Sequence, residues 1–200
     1  YFKALNVEEH LYKPLVFLAE KNTNGNRPYV DVVTGEPMLK VSPVALNLGE
    51  QNFVTSFREY CKAHQDDVLA GKQVYLLRNE SKRGLGFFEA NNFYPDFILW
   101  ILDGEKQYIT FIDPKGIRNL KGLEDDKIQL FKYLQTEVAS QLGNAHLMLN
   151  SFIISNTPME QVEFWLKNPF EKGEFQKNHV LFKDDKGYLE TMVDMILQYM

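Results

Sequence analysis

The sequence predicts an α/β domain, a central mixed β-sheet flanked by helices. Three observations carry that expectation. Two almost unbroken apolar segments, 97–102 and 108–112, meet across Asp103-Gly104 and read as a hairpin buried on both faces. Amphipathic helical patterns lie before and after it, at 49–64 and about 120–142. A further apolar run, 146–155, then follows at the distance of a crossover into a parallel strand.

Composition limits what such a domain can be. An apolar share of 44% and an aromatic share of 14% describe a folded chain rather than a disordered one. The 200 residues are read as a single domain, with its core at about 42–155 and with 1–41 and 156–200 as peripheral additions. Cys61 is the single cysteine, which excludes an internal disulfide and suits a reducing, cytoplasmic setting. No apolar run approaches a membrane span, and nothing at the start resembles a signal peptide, so no membrane partner is expected. Because the chain opens at Tyr1, it is expected to be a fragment of a longer protein. The formal net charge of −5 does not advertise nucleic-acid binding.

Taken in order, 11–19 and 38–48 read as strands interrupted by Pro14 and Pro43, hence edge or bulged strands around an exposed loop. The helix at 49–64 buries Phe53, Val54, Phe57, Tyr60 and Cys61. Glu50 falls within that stripe and Glu59 opposite it. A carboxylate facing the core is costly unless it is paired or bound to metal; otherwise Glu50 is a first-turn residue favoured by the helix dipole, its head in solvent. Cys61-x-x-His64 is read as structural. Segments 74–77 and 85–90 read as short strands around a polar turn. In that turn Lys82 and Arg83 either approach a phosphate backbone or are simply solvated. Glu89, just upstream of Pro95-Asp96, is a rival to Glu50 as an additional acidic group.

The hairpin sets the geometry that matters. With Gly104 and Glu105 as its loop, Asp96 falls directly opposite Asp113, and directly opposed Cβ atoms stand about 4.5–5.5 Å apart. Lys115, two residues on, shares their face. Two carboxylates that close repel unless a cation lies between them, and few, hard oxygen ligands suit Mg²⁺, with Mn²⁺ as substitute. The carbonyl of Pro114 offers a further oxygen. A lysine beside the metal can orient a water or stabilise charge developing on a phosphate. The plain alternative is a strand-end salt bridge of Lys115 with Asp113 or Asp96.

In the following helix Leu123, Leu130, Phe131, Leu134, Val138 and Leu142 form the apolar stripe, and Gly143 stops it. Gln129 and Tyr133 lie one turn apart, away from that stripe. Arg118, Lys121 and Lys127 are placed to meet phosphates, offset by Glu124 to Asp126. Beyond the 146–155 strand, Thr157-Pro158 with Glu160 resembles a capping box opening a helix to about 166. A short strand at 179–182 and a helix from about 186, with Leu189, Met192, Val193, Ile196 and Leu197 on one face, complete the chain.

FYPDFILWI followed by YITFIDPKG resembles the PD-(D/E)XK nuclease signature, here Pro95-Asp96 and Asp113-Pro114-Lys115. More narrowly, it resembles the nuclease domain at the C-terminal end of type III restriction-enzyme Res subunits and related helicase-linked proteins, over about residues 42 to 135. The resemblance implies a restriction-endonuclease-like core and a Mg²⁺-dependent DNA endonuclease. It implies metal on Asp96 and Asp113, Lys115 at the attacking water, and an additional acidic ligand from a preceding helix, to which Glu50 corresponds. It also implies a supporting or DNA-touching role for Gln129 and Tyr133. Its expected partners are DNA, a helicase or translocase motor, and a modification or specificity subunit. The alternative is a non-catalytic module of the same fold that binds nucleic acid or a protein.

Overall fold

The computed structural model describes residues 3–6, 46–79, 84–87, 90–115, 117, 120, 122–162 and 171–198. Among the described residues six strands form one sheet: β1 (Lys3–Asn6), β2 (Gln73–Arg78), β3 (Phe97–Asp103), β4 (Lys106–Lys115), β5 (Leu147–Ser155) and β6 (Val180–Phe182). They lie in sequence order; β1 to β4 are antiparallel neighbours, whereas β5 and β6 run parallel to β4. The helices are α1 (Leu48–Ala63), α2 (Asp126–Tyr133), α3 (Ala139–Leu142), α4 (Lys172–Lys177) and α5 (Tyr188–Leu197), with a π-helical turn, Leu134–Val138, joining α2 to α3. The β3–β4 hairpin is central, and α2 and α3 form the crossover that returns the chain to β5 parallel to β4.

Central position explains the unbroken apolar runs, since both faces of the hairpin are covered. On one face Phe53 and Phe57 of α1 and Met192 and Val193 of α5 pack on Phe97, Leu99, Ile112 and Phe152. The Phe53 ring lies 5.5 Å from that of Phe97, fastening α1 to the start of β3. On the other face Ile128, Leu130 and Leu134 pack with Ile98, Phe111, Leu149 and Ile153. Period-two alternation sends the two sets of side chains to opposite sides. Among the described residues no helix is long and apolar enough to cross a membrane.

Several local expectations are corrected. The 11–19 strand and residues 38–45 lie outside the described residues, but the strand expected to reach Leu48 does not, because Leu48 already opens α1 behind the cap Asn47. Of the strand expected at 85–90 the described residues, 85–87 and 90, form no part: Phe87 makes an isolated bridge to Phe93, and the amide and carbonyl of Leu85 bond to the side chain of Asn79 rather than to a neighbouring strand. The helix expected from 120 starts at Asp126, since Asp125 caps it by accepting the amide of Lys127 at 3.1 Å. Leu123 is buried ahead of that helix, and Leu142, expected in the stripe, is exposed. No capping box forms at Thr157: Pro158 stands at the cap position, and a single 3₁₀ turn, Met159–Gln161, gives way to extended Val162. The last helix begins at Tyr188, and β1 and α4 carried no periodicity long enough to be foreseen.

Candidate functional site

The hairpin register runs from Asp103↔Lys106 to Phe97↔Ile112, so one further step sets Asp96 beside Asp113. Their carboxyl groups lie within hydrogen-bonding reach of each other. Burial, followed by the charge of Asp113 and its hydrogen bond, pushes the Asp96 carboxyl up from 3.8 to about 8; Glu50 adds to the effect and Lys115 opposes it. Asp113 is 5% exposed and its carboxylate accepts a hydrogen bond from the Lys115 ammonium. That ammonium also stands 4.5 Å from the ring centroid of Phe93. Asp113 and Lys115 share the parity of Phe111 and so lie on the α2 face of the sheet.

Backbone bonds hold the carboxylates in place. Asn79, at the end of β2, donates its amide to the Asp96 carbonyl at 2.8 Å, and its Nδ2 to the carbonyls of Pro95 and Leu85 at 2.8 and 2.7 Å. Its Oδ1 accepts the Leu85 amide at 2.9 Å, so a buried side chain satisfies both ends of the loop before Asp96. On the other side the amide of Asn156 donates to the Lys115 carbonyl at 3.0 Å. Lys115 therefore bonds towards β5, and in an alternating ladder Pro114 turns its backbone to the β3 side, beyond the last pair Phe97↔Ile112. A proline costs no ladder bond there, and its carbonyl faces the side of Asp96.

Glu50 sits on the α1 face. It closes a capping box with Asn47, whose Oδ1 accepts the Glu50 amide at 3.0 Å while the Asn47 amide donates to the Glu50 carboxylate at 3.3 Å. Arg78 adds an ion pair at 3.5 Å. Burial raises the Glu50 acid, Arg78 and the Asn47 bond lower it, and the charge of Asp113 raises it again. Glu50 is thus electrostatically in touch with the aspartate pair while its carboxylate is held by Asn47 and Arg78. Of the further sequence-identified residues, Gln129 is not exposed: its Nε2 donates to the Leu123 carbonyl at 2.6 Å and to Asn178 at 3.1 Å. Tyr133 packs, half-buried, against the α2-side core rather than away from it. Cys61 is a free thiol that burial pushes up to about 12, and the neighbouring His64 bonds Asp67. Glu89, Lys82, Arg83, Arg118 and Lys121 lie outside the described residues.

The donor set fits a small, hard cation. Asp96 is driven towards its neutral form by burial first and by the neighbouring carboxylate second, and a divalent cation between the two would relieve their repulsion. Among the described residues no group of three or more His, Cys, Asp or Glu is placed to hold a metal; the oxygens on offer at the hairpin end are two carboxylates and the Pro114 carbonyl, a set of the kind that Mg²⁺ sites complete with waters. Sequence reasoning missed Asn79, Arg78 and Phe93, because each acts on the site across a strand or loop rather than along a helix. No pattern along the chain marks Asn79, whose burial one residue past β2 only the structure shows. No family model, curated protein or solved structure matches the chain.

Proposed function

We propose that this chain is a Mg²⁺-dependent DNA endonuclease domain with a restriction-endonuclease-like core, working in the cytoplasm as part of a longer restriction or defence protein with a helicase motor. The observation that carries the reading is the Asp96–Asp113 carboxylate pair with the Lys115 ammonium upon it, at one end of a buried central hairpin. Asp96, Asp113 and the Pro114 carbonyl would hold the metal, which when bound supplies Lewis-acid stabilisation of charge on the scissile phosphate. Lys115 would orient the attacking water and steady the phosphoryl oxygens. The Phe93 ring lies under the Lys115 ammonium, its centroid 4.5 Å away, and favours that position for the charge. Asn79 keeps the Pro95-Asp96 peptide from drifting.

Plasmid cleavage by the chain and by its full-length parent, with Mg²⁺, Mn²⁺ or EDTA, tests the proposal. Cleavage with either metal, abolished by EDTA and by Lys115→Ala in a folded protein, supports it. Lys115→Ala should lower kcat with little change in DNA affinity. Absence of cleavage by both proteins in both metals refutes it. A second reading, a non-catalytic module binding nucleic acid or a protein, draws on the contacts each charge already has: Lys115 neutralises Asp113, and Asn47 and Arg78 satisfy Glu50. It predicts binding without cleavage.

A further inference from the structure

A second ammonium stands on the same aromatic ring as Lys115. Lys127, in the first turn of α2, is half-buried, and its Nζ stands 5.7 Å from the ring centroid of Phe93, the ring that also carries Lys115 at 4.5 Å. Phe93 itself is 6% exposed and packed in the α2-side core, so the platform under both lysines is fixed. The acidic neighbours of Lys127 are engaged elsewhere: Asp125 caps α2 by accepting the Lys127 amide, and Asp126 accepts a hydrogen bond from Asn91. Among the described residues no carboxylate forms an ion pair with the Lys127 ammonium. By contrast the Lys115 ammonium is spent on Asp113.

A half-buried ammonium held by an aromatic face is an unusual place to leave a charge, because part of its hydration is lost without a carboxylate in return. Being in the first turn of a helix compounds the cost, since the dipole there favours anions over cations. An incoming anion would relieve both terms. The chemistry beside it, two carboxylates and a lysine, is suited to a phosphodiester. We propose that Lys127 binds a backbone phosphate next to the one that is cut, Phe93 aligning it with Lys115 so that the two phosphates are gripped in register. The identity of the anion rests on the nuclease reading; the binding role is separable from it.

The test is binding of a labelled duplex oligonucleotide, and of its single strand, to the full chain in EDTA across a salt series. Lys127→Gln should weaken binding roughly fivefold at low salt for unrelated sequences alike, and should reduce the slope of log K against log salt by about 0.9, the release of one phosphate's counterions. Lys127→Arg should restore most of the affinity. Lys132→Gln, an exposed lysine on the same helix stacked on Phe131, should leave both quantities unchanged. Thermal melts establish that each variant folds. Unchanged affinity and slope in Lys127→Gln overturn the proposal, as does a wild-type chain that binds neither probe. If wild type binds with the Lys127 slope yet cuts nothing with Mg²⁺ or Mn²⁺, the phosphate site stands and the nuclease reading falls.

Discussion

Replacing Asp96 by Asn should stabilise the protein while destroying whatever the site does. Asp96 is pushed up from 3.8 to about 8 in the folded state, by burial first and by Asp113 second. A raised carboxyl pKa means that folding is easiest when the group is protonated in both states, below about pH 4. Stability is then lost as pH rises through the window between the two values, and the cost levels off above about 8. One pH unit within that window is worth at most about 1.4 kcal/mol, so between pH 5 and pH 7 wild type should fall behind Asp96→Asn by up to about 3 kcal/mol. Asparagine keeps the shape and cannot ionise, which removes the repulsion with Asp113. Urea unfolding of both proteins at several pH values in EDTA measures the gap. Added Mn²⁺ should then close it, because metal stabilises only the protein with both carboxylates. A gap that is flat with pH, or an Asn variant that is the less stable of the two at pH 7, would refute the account of a strained carboxylate pair.

Two further expectations concern residues around the core. His179 is buried between the rings of Phe131 and Phe152, centroids 3.8 and 4.7 Å away, and burial pushes it down from 6.5 to about 4 despite the hydrogen-bonding distance of its Nδ1 to the Ser151 carbonyl. Its contribution is complete above pH 6.5 and lost as pH falls towards 4, a total of about 3 kcal/mol. His179→Asn, which tolerates the left-handed backbone at φ 56°, should flatten that part of the stability–pH curve, and an unaltered curve between pH 4.5 and 6.5 would count against it. Glu50→Gln retains a capping-box residue but loses the Arg78 ion pair and one of the two hydrogen bonds that Asn47 donates to the carboxylate, so melting should show a cost of no more than about 2 kcal/mol. If Glu50 is the additional acidic group of the site, cleavage should drop far more than that, and normal cleavage assigns it to the cap alone.

The hairpin register could be read from the chain because it is local. A two-residue turn and strict alternation leave no freedom once the loop is placed, and the pairing that brings Asp96 to Asp113 follows from Asp103↔Lys106. The stripe of α1 and the order of helix, strands, hairpin, helix and strand were legible for the same reason, since periodicity is carried by residues within two turns of one another. Helix starts were less so: Asp125 overruled an apolar pattern that began at Leu120 by offering the backbone a cap. Packing alone decided the partners that polar groups find far along the chain. Arg78 reaches Glu50 across 28 positions, Gln129 reaches Asn178 across 49, and Phe93 gathers Lys115 and Lys127 from a strand and a helix. No pattern along the chain specifies which side chains meet when two layers close on a sheet. Their distances are set by how the apolar faces fit, and the charges take whichever partners that fit brings within reach.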